Sequence, residues 1–426
     1  MGYPYGRWLT KLGAAPRAAM RVHLLGGQFM PGPFENIRVL DLATVMAGPV
    51  SATLLGDFGA DVIKVEEPLR GDTLRGLGGK KGGDLFWAQE GRNKRCITLN
   101  LRVTEGQALL ARLAAQADVL IESFRPGTME KWNLGPDRLC EENPRLIYLR
   151  VSGYGQTGPY RERGSFDRVA TAFSGVTYAS GEEDGPPMRS GFALADYMGA
   201  AYNAFAVAMA LYERASGGEG RGQVIDLALY EPMLRSSEAS AVVFDRYGVT
   251  RERTGNRHPA AVPGGVYQSA DGCWISLFAA PDHIFRRLAA AMGRAELADD
   301  PRFAAADGRR VNAEQLETIV SDWVAGNSAA ESLDVLLAED VPSGPVNSIR
   351  DLFEDPHAAA RENFVQVEDH WGEPLRMVGV IPKLSRTPGE IRHAGRPLGA
   401  DNYEVYAGWL GLSGEEVDRL RESGIL

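Results

Sequence analysis

The chain has 426 residues, 44% of them hydrophobic and 24% charged, with 50 glycines and a net charge of -10. That length supports two domains, or one large and one small, each with a core, and the acidic balance excludes a dedicated nucleic-acid surface while leaving room for a local basic groove that holds phosphates. Cys96, Cys140 and Cys273 form no CxxC and no disulfide framework, the six histidines form no HxxxH or HExxH, and no run approaches the ~20 apolar residues of a membrane span, so the expectation is a cytoplasmic protein with no metal and no membrane contact.

Residues 1–29 carry Arg7, Lys11, Arg17 and Arg21 and no acid, superficially like a targeting segment. The ordered pattern begins at Met30-Pro31-Gly32, so residues 1–30 read as an N-terminal extension, an over-extended start. From there strand and helix signals alternate. IRVLDLA (37–43) is an apolar strand, GPVSATLLGDFGA (48–60) a helix and DVIKVEE (61–67) the next strand, with a glycine-rich loop at 71–83. KRCITLNL (94–101), the helical EGQALLARLAAQA (105–117), DVLIESF (118–124) and RLIYLRVSGYG (145–155) continue the pattern. A mostly buried helix over about 197–214 then leads through a glycine-rich link to VIDLAL (224–229). This alternation predicts βαβ units and a doubly wound, Rossmann-like parallel sheet. Beyond residue 230 the texture changes: GGVYQSADGCWISLFA (264–279) reads as a hairpin, and helices are expected at 281–292, 312–325 and 329–338. Segments 341–349 and 396–406 are turn-rich. The expected organisation is a large α/β domain over 31–225, a small α+β domain over 226–340 and a C-terminal segment over 341–426.

Open parallel sheets bind ligands beyond the carboxyl ends of their strands. Those ends read ATVMAGP, EEPLRGD, SFRPG and SGYGQTG. No GxGxxG follows the first strand and no GxxxxGK[ST] occurs, so neither dinucleotide nor P-loop binding has specific support. GFALADYMGA (191–200) sets one acid, Asp196, among small and apolar residues where the long helix begins. A carboxylate there is either an N-cap that stabilises the helix by ~1 kcal/mol or a group kept for chemistry. The stretch alone leaves both open.

Six segments occur in order: VLDLATVMAGPVSATLLGDFGADVIKVEEPLRGD, NKRCITLNL, ADVLIESFRPGTMEKWNLG, SGYGQTGPYRERGSFD, SGFALADYMGA and GRGQVIDLALYE. Together they resemble the class III CoA-transferases, the group containing formyl-CoA transferase and carnitine CoA-transferase, from about Pro33 to the C-terminus. The resemblance implies an interlocked homodimer whose C-terminal segment returns to the large domain. It implies acyl-CoA and a small carboxylic acid as substrates and no prosthetic group. By family position Asp196 is the nucleophile, forming a mixed anhydride and then an aspartyl-CoA thioester, chemistry that requires exclusion of water by neighbours such as Phe192, Ala193, Ala195 and Met198. Asp167, 29 residues earlier, fits the acid beside the nucleophile.

Phe166 stands where the related α-methylacyl-CoA racemases carry a histidine, and it cannot exchange a proton, which favours transfer over racemisation. A non-catalytic acyl-CoA-binding protein is the other alternative. The turn Val45-Met46-Ala47-Gly48 offers backbone N–H groups for an oxyanion, with Met46 in place of the glutamine of formyl-CoA transferase. Val45, Leu99, Arg102, Ser123, Phe124 and Lys131 match CoA-contacting positions, whereas Glu67 replaces an arginine. Of a four-glycine lid only Gly264 and Gly265 remain, and Arg189 is the candidate anchor for the second carboxylate of a dicarboxylic donor.

Overall fold

The computed structural model of the chain describes residues 31–78, 83–217, 219–258 and 260–426. The expected extension at 1–30 lies outside them. Short runs of Val, Ile and Leu supply the strands β1 (Arg38–Asp41), β2 (Asp61–Glu66), β3 (Lys94–Thr98), β4 (Val119–Glu122), β5 (Ile147–Ser152) and β6 (Val224–Ala228). All pair in parallel, in the order β3-β2-β1-β4-β5-β6. Successive side chains leave a strand on opposite faces. Leu40, Ile63, Leu120 and Tyr148 therefore enter one core, and Val39, Val62, Ile121 and Leu149 enter another on the far side. A sheet covered on both faces is what parallel pairing demands. The fold is the expected doubly wound α/β.

The helices that matter for the site are α1 (Ala47–Asp57), α2 (Gly83–Glu90), α3 (Thr104–Ala114), α4 (Thr128–Lys131), α5 (Asp167–Phe173) and α6 (Leu194–Ser216). The expected strands and the helices α1, α3 and α6 match the sequence pattern. The short α4 and α5 and the helix α2 have too few periodic positions to announce themselves.

The described residues divide into two compact units, one made of Tyr178–Met188 and Thr250–Glu362, the other of the chain up to Thr177 together with Arg189–Val249 and Asn363–Leu426. These bounds differ from the expected 225/226 and 340/341, because the helices that follow β6 stay with the sheet and a short segment before α6 joins the smaller unit. That unit holds an antiparallel sheet of β7 (Gly264–Gln268), β8 (Trp274–Phe278) and β9 (Ser343–Pro345) with a core of its own. Gly264 and Gly265 open β7, paired with Phe278 and Leu277, so the glycine pair is part of a ladder.

After the hairpin of β10 (Phe364–Glu368) and β11 (Pro374–Val378), the C-terminal segment runs back to the edge strand β3. The supposedly turn-rich 396–406 contains the start of a helix at Asn402–Leu410. Asp401 Oδ2 accepts from Cys96 N at 2.7 Å, Asn402 Oδ1 accepts from Thr98 N at 2.9 Å, and Tyr406 Oη donates to Thr98 O at 2.8 Å. These groups satisfy backbone that an edge strand leaves unpaired. Turns occupy only the residues before Asn402, and the edge strand that Asp401, Asn402 and Tyr406 pair with is far back in the chain and has no local signature.

Beneath the carboxyl ends of β1 to β3 lies an ion network that water does not reach. Lys64 Nζ meets Asp72 Oδ2 at 2.9 Å and Asp41 Oδ1 at 3.6 Å, and Lys94 Nζ meets Asp41 Oδ2 at 3.0 Å. Lys64 also donates to the Ala43 carbonyl, and Lys94 donates to Pro49 O at 2.6 Å. Burial opposes the charge of Lys64, but Asp41, Asp72 and Glu66 outweigh it and hold its pKa well above the usual lysine value. Lys64→Met would leave the buried Asp72 carboxylate without a cation and Asp41 with Lys94 alone, so urea unfolding of this variant should show a loss of about 3–5 kcal/mol. A loss under ~1 kcal/mol would mean that the carboxylates find other partners.

Candidate active site

The order of the strands reverses between β1 and β4, and the crevice at that switch point is where doubly wound sheets bind ligands. Two connections meet there. Thr44 N donates to Ser123 Oγ at 2.9 Å, tying the turn after β1 to the end of β4. Val45 is held at φ 71°, a left-handed conformation that a β-branched residue resists. Its N–H donates to Asp72 Oδ1 at 3.0 Å, and Asp72 is itself fixed by Lys64 and by Leu74 N. Asp72 stays below the usual carboxylate range: burial works against its ionisation, but the Lys64 ammonium and the bonds it accepts prevail.

The strained turn leads directly into α1. Met46 is the N-cap residue and its side chain makes no cap bond. The first helical bond runs from Val50 N to Met46 O. Among the described residues, the amides of Met46, Ala47 and Gly48 are therefore left without a protein acceptor, while those of Thr44 and Val45 are already engaged. The N–H groups of this turn that can face an oxyanion are thus the later ones, and the Val45 N–H is not among them. Its side chain packs with Met46, Leu74, Trp87 and Cys96 instead.

Asp196 sits in the first turn of α6, whose N-cap position is Ala193, and it caps nothing. The capping acceptor comes from another element: Asp167, the first residue of α5, takes Ala195 N at 2.8 Å and Asp196 N at 3.4 Å on one oxygen. The two acids that the sequence lists separately are thus neighbours, and the cap role belongs to Asp167. Asp196 is 8% exposed. Burial, and secondarily the charge of Asp167, push its carboxyl up to about 7. Ala195 is buried beside it, whereas Phe192 is 80% exposed and gives no such shelter within the described chain. Phe166, the N-cap residue of α5, is 69% exposed and brings no titratable group. Arg189 is exposed on the approach to α6, where its Nη1 donates to Ser190 O at 2.8 Å.

A second feature lies at the ends of β1, β2 and β3. A cleft of about 140 Å³ has Thr44, Glu67, Leu99, Arg102, Phe124 and Trp132 in its lining. It is smaller than the ~300 Å³ at which whole-ligand pockets begin, so it suits one ring system of a larger molecule. The Phe124 and Trp132 rings meet edge to face, 5.2 Å apart. Three of the residues expected against CoA, Leu99, Arg102 and Phe124, line this cleft. Ser123 braces the turn at Thr44, and Lys131, at the end of α4, is exposed outside the lining. Trp132 escaped the sequence reading, although an aromatic directly after a matched lysine was a usable signal. Among the described residues no group of three or more His, Cys, Asp or Glu side chains is placed to hold a metal, and no helix is long and apolar enough to cross a membrane.

The model of the family described as CoA-transferase family III matches residues 34–402. The chain is 46% identical to the succinyl-CoA–L-malate CoA-transferase beta subunit of Chloroflexus aurantiacus, over 92% of this chain and 98% of that one. It is 40% identical to the succinyl-CoA–D-citramalate CoA-transferase of the same organism, over 94% and 100%. Among solved structures, a CAIB/BAIF family protein from Brucella suis is 32% identical, with a TM-score of 0.78 over 89% of this chain and 100% of that one.

The raised pKa of Asp196 has a consequence for stability. Because the folded value lies above the unfolded one of 3.8, the folded state holds the extra proton between about pH 4 and 7, and stability falls as pH rises through that window. Asp196→Asn removes the buried charge. Chemical denaturation at pH 8 should find the variant more stable by on the order of 2–4 kcal/mol, with the gap closing towards pH 4.

Proposed function

The chain belongs to CoA-transferase family III, and from that premise we propose that it moves CoA between carboxylic acids by covalent chemistry on Asp196. The observation that carries this reading is the buried carboxylate of Asp196, close to Asp167 and with a pKa near neutrality. At pH 7 a large fraction is ionised, yet the anion is poorly hydrated, which favours attack on a carbonyl.

An Asp196 carboxylate oxygen adds to the thioester carbon of the acyl-CoA donor. Collapse breaks the C–S bond, releasing CoA thiolate and leaving a mixed anhydride on Asp196. The thiolate then attacks the Asp196 acyl carbon, the donor leaves as a carboxylate, and an aspartyl-CoA thioester remains. The acceptor carboxylate displaces CoA from that thioester to give a new anhydride. Attack of the thiolate on the acceptor's acyl carbon completes the new acyl-CoA and regenerates the Asp196 carboxylate. No proton has to be moved in any step. Each tetrahedral oxyanion needs donors, and the unengaged amides of Met46, Ala47 and Gly48 are the proposed ones. Asp167 holds the first turn of α6, and with it the nucleophile, by its bonds to two amides. Phe166 offers no second base, which speaks against racemisation.

Coenzyme A is a substrate in this scheme. Its adenine is proposed to enter the cleft lined by Leu99, Phe124 and Trp132, with Arg102 of the same lining pairing with a phosphate. The relatives named above act with succinyl-CoA and L-malate or D-citramalate, so a dicarboxylic donor and acceptor are the proposed substrates here, with Arg189 receiving the far carboxylate. The functional form is proposed to be a homodimer. Tyr202, Phe205, Met209 and Tyr212 form one exposed apolar face of α6, and a contiguous face of this kind calls for a partner. Cys96, Cys140 and Cys273 form no disulfide, which suits a reducing cytoplasm.

Incubation with succinyl-CoA followed by hydroxylamine or borohydride should mark the peptide carrying residues 190–200 at Asp196. Full activity of Asp196→Ala, with no label at Asp196 from any donor, would sink the mechanism. The acyl-transfer rate should rise with pH through about 7 as Asp196 ionises. In Asp167→Asn, which keeps the oxygen acceptor but loses the charge, that midpoint should move down. Arg189→Gln should raise KM for a dicarboxylic donor by about tenfold and leave acetyl-CoA unaffected. Equal effects on both donors would remove Arg189 from the proposed role.

A further inference from the structure

Asn203 is 0% exposed in the middle of α6, on the face that α6 turns to the core. Its buried companions on that face are mainly Ala, Gly, Val and Leu. The side chain Nδ2 donates to Ser51 Oγ in α1 at 3.0 Å, and Ser51 Oγ in turn donates to Ala47 O at 2.5 Å. Ser51 is also 0% exposed. The other end of the amide, Asn203 Oδ1, has no partner among the described residues.

This arrangement is a poor one for stability alone. An orphaned carbonyl oxygen in a dry interior is unfavourable, and a leucine of similar volume would fill the space without one. What the bond does do is fix where two helices touch. They pass within van der Waals reach here: a Cβ on Gly199 of α6 would lie 3.9 Å from Ala47 Cβ of α1. Apolar packing at such a crossing permits small slips and rotations, whereas a buried polar pair has one register. Asn203 is seven residues, two helical turns, beyond Asp196 on the same face of α6. Ser51 is one turn beyond Ala47, at the start of α1, where the unengaged amides lie.

We propose that the Asn203–Ser51–Ala47 chain of hydrogen bonds is a positioning device that sets the Asp196 carboxylate against the amides of the Met46–Gly48 turn. The proposal rests on the reading of Asp196 as the nucleophile. Neither Asn203 nor Ser51 reaches the reacting atoms; they act through the two helices. Reacting groups misplaced by an ångström lose rate while ground-state binding of the donor, made elsewhere on the chain, persists.

The test uses the full-length protein with succinyl-CoA as donor and L-malate as acceptor. Asn203→Leu should keep or raise the melting temperature, lower kcat by about tenfold to a hundredfold, and leave KM for succinyl-CoA within about twofold. Ser51→Ala cuts the same bond from the other helix and should reproduce the split, and the double variant should lose no more than the worse single one. If Asn203→Leu does not fold, Ser51→Ala carries the test alone. A folded Ser51→Ala with wild-type kcat, a kcat loss that only follows a fall in melting temperature, or additive losses in the double variant would each overturn the positioning role. Wild-type protein that forms no acyl adduct on Asp196 would instead bring down the nucleophile reading and the proposal with it. Labelled wild type with unchanged variants overturns the positioning role only.

Discussion

Two buried lysines hold the ligand-binding end of the sheet in place. Lys64 and Lys94 rise from β2 and β3 into a region closed to water and meet Asp41 of β1 and Asp72 of the following loop. Removing Lys64 would leave Asp72 uncompensated, and removing Asp41 would leave Lys94 without a carboxylate, in a medium that cannot solvate either charge. In return the network fixes the turn after β1. Lys64 takes the Ala43 carbonyl and Asp72 takes the Val45 amide, so the chain is gripped on both sides of Thr44. The unfavourable backbone of Val45 persists because these bonds over-determine it. From that turn follows the set of amides left without a protein acceptor among the described residues.

The electrostatics of Asp196 is a contest that burial wins. An acid in the first turn of a helix gains ~0.3–1 kcal/mol from the N-terminal end of the helix dipole. The rise of its carboxyl from 3.8 to about 7 corresponds to about 4 kcal/mol in the opposite sense. Asp167 contributes to that rise through its charge while stabilising the same helix through its hydrogen bonds, so one side chain both holds Asp196 and unsettles its ionisation. A carboxylate kept at this balance changes its charge near neutral pH, and a surface aspartate in the same sequence position would not.

The segments that looked least informative along the chain complete the large unit. Asp401, Asn402 and Tyr406 close the edge of β3, and Val405, Tyr406 and Trp409 add to the core beneath it. The opposite treatment is given to α6, one face of which carries Asp196 and Asn203 into the interior while another leaves Tyr202, Phe205, Met209 and Tyr212 exposed. A single helix thus carries a buried acid on one face and an exposed apolar stripe on another.

The strands and the longer helices were legible because period-2 and period-3.6 patterns are local, and the ordered segments were enough to single out Asp196 and Asp167 before any coordinates. The sequence by itself also ruled on Phe166, since whether a residue can exchange a proton is a property of its side chain. Only the tertiary structure decided which acid caps α6, because Asp167 reaches amides 28 and 29 residues ahead and no spacing rule encodes that contact. It likewise decided which turn amides remain unengaged, since Ser123 and Asp72 arrive from the segments that follow other strands. The lysine in DVIKVEE was visible as a charge in an apolar strand, but its partners were not. Ion pairs, caps and pKa shifts depend on distance and burial in three dimensions, and those are fixed only when segments far apart in the chain pack together.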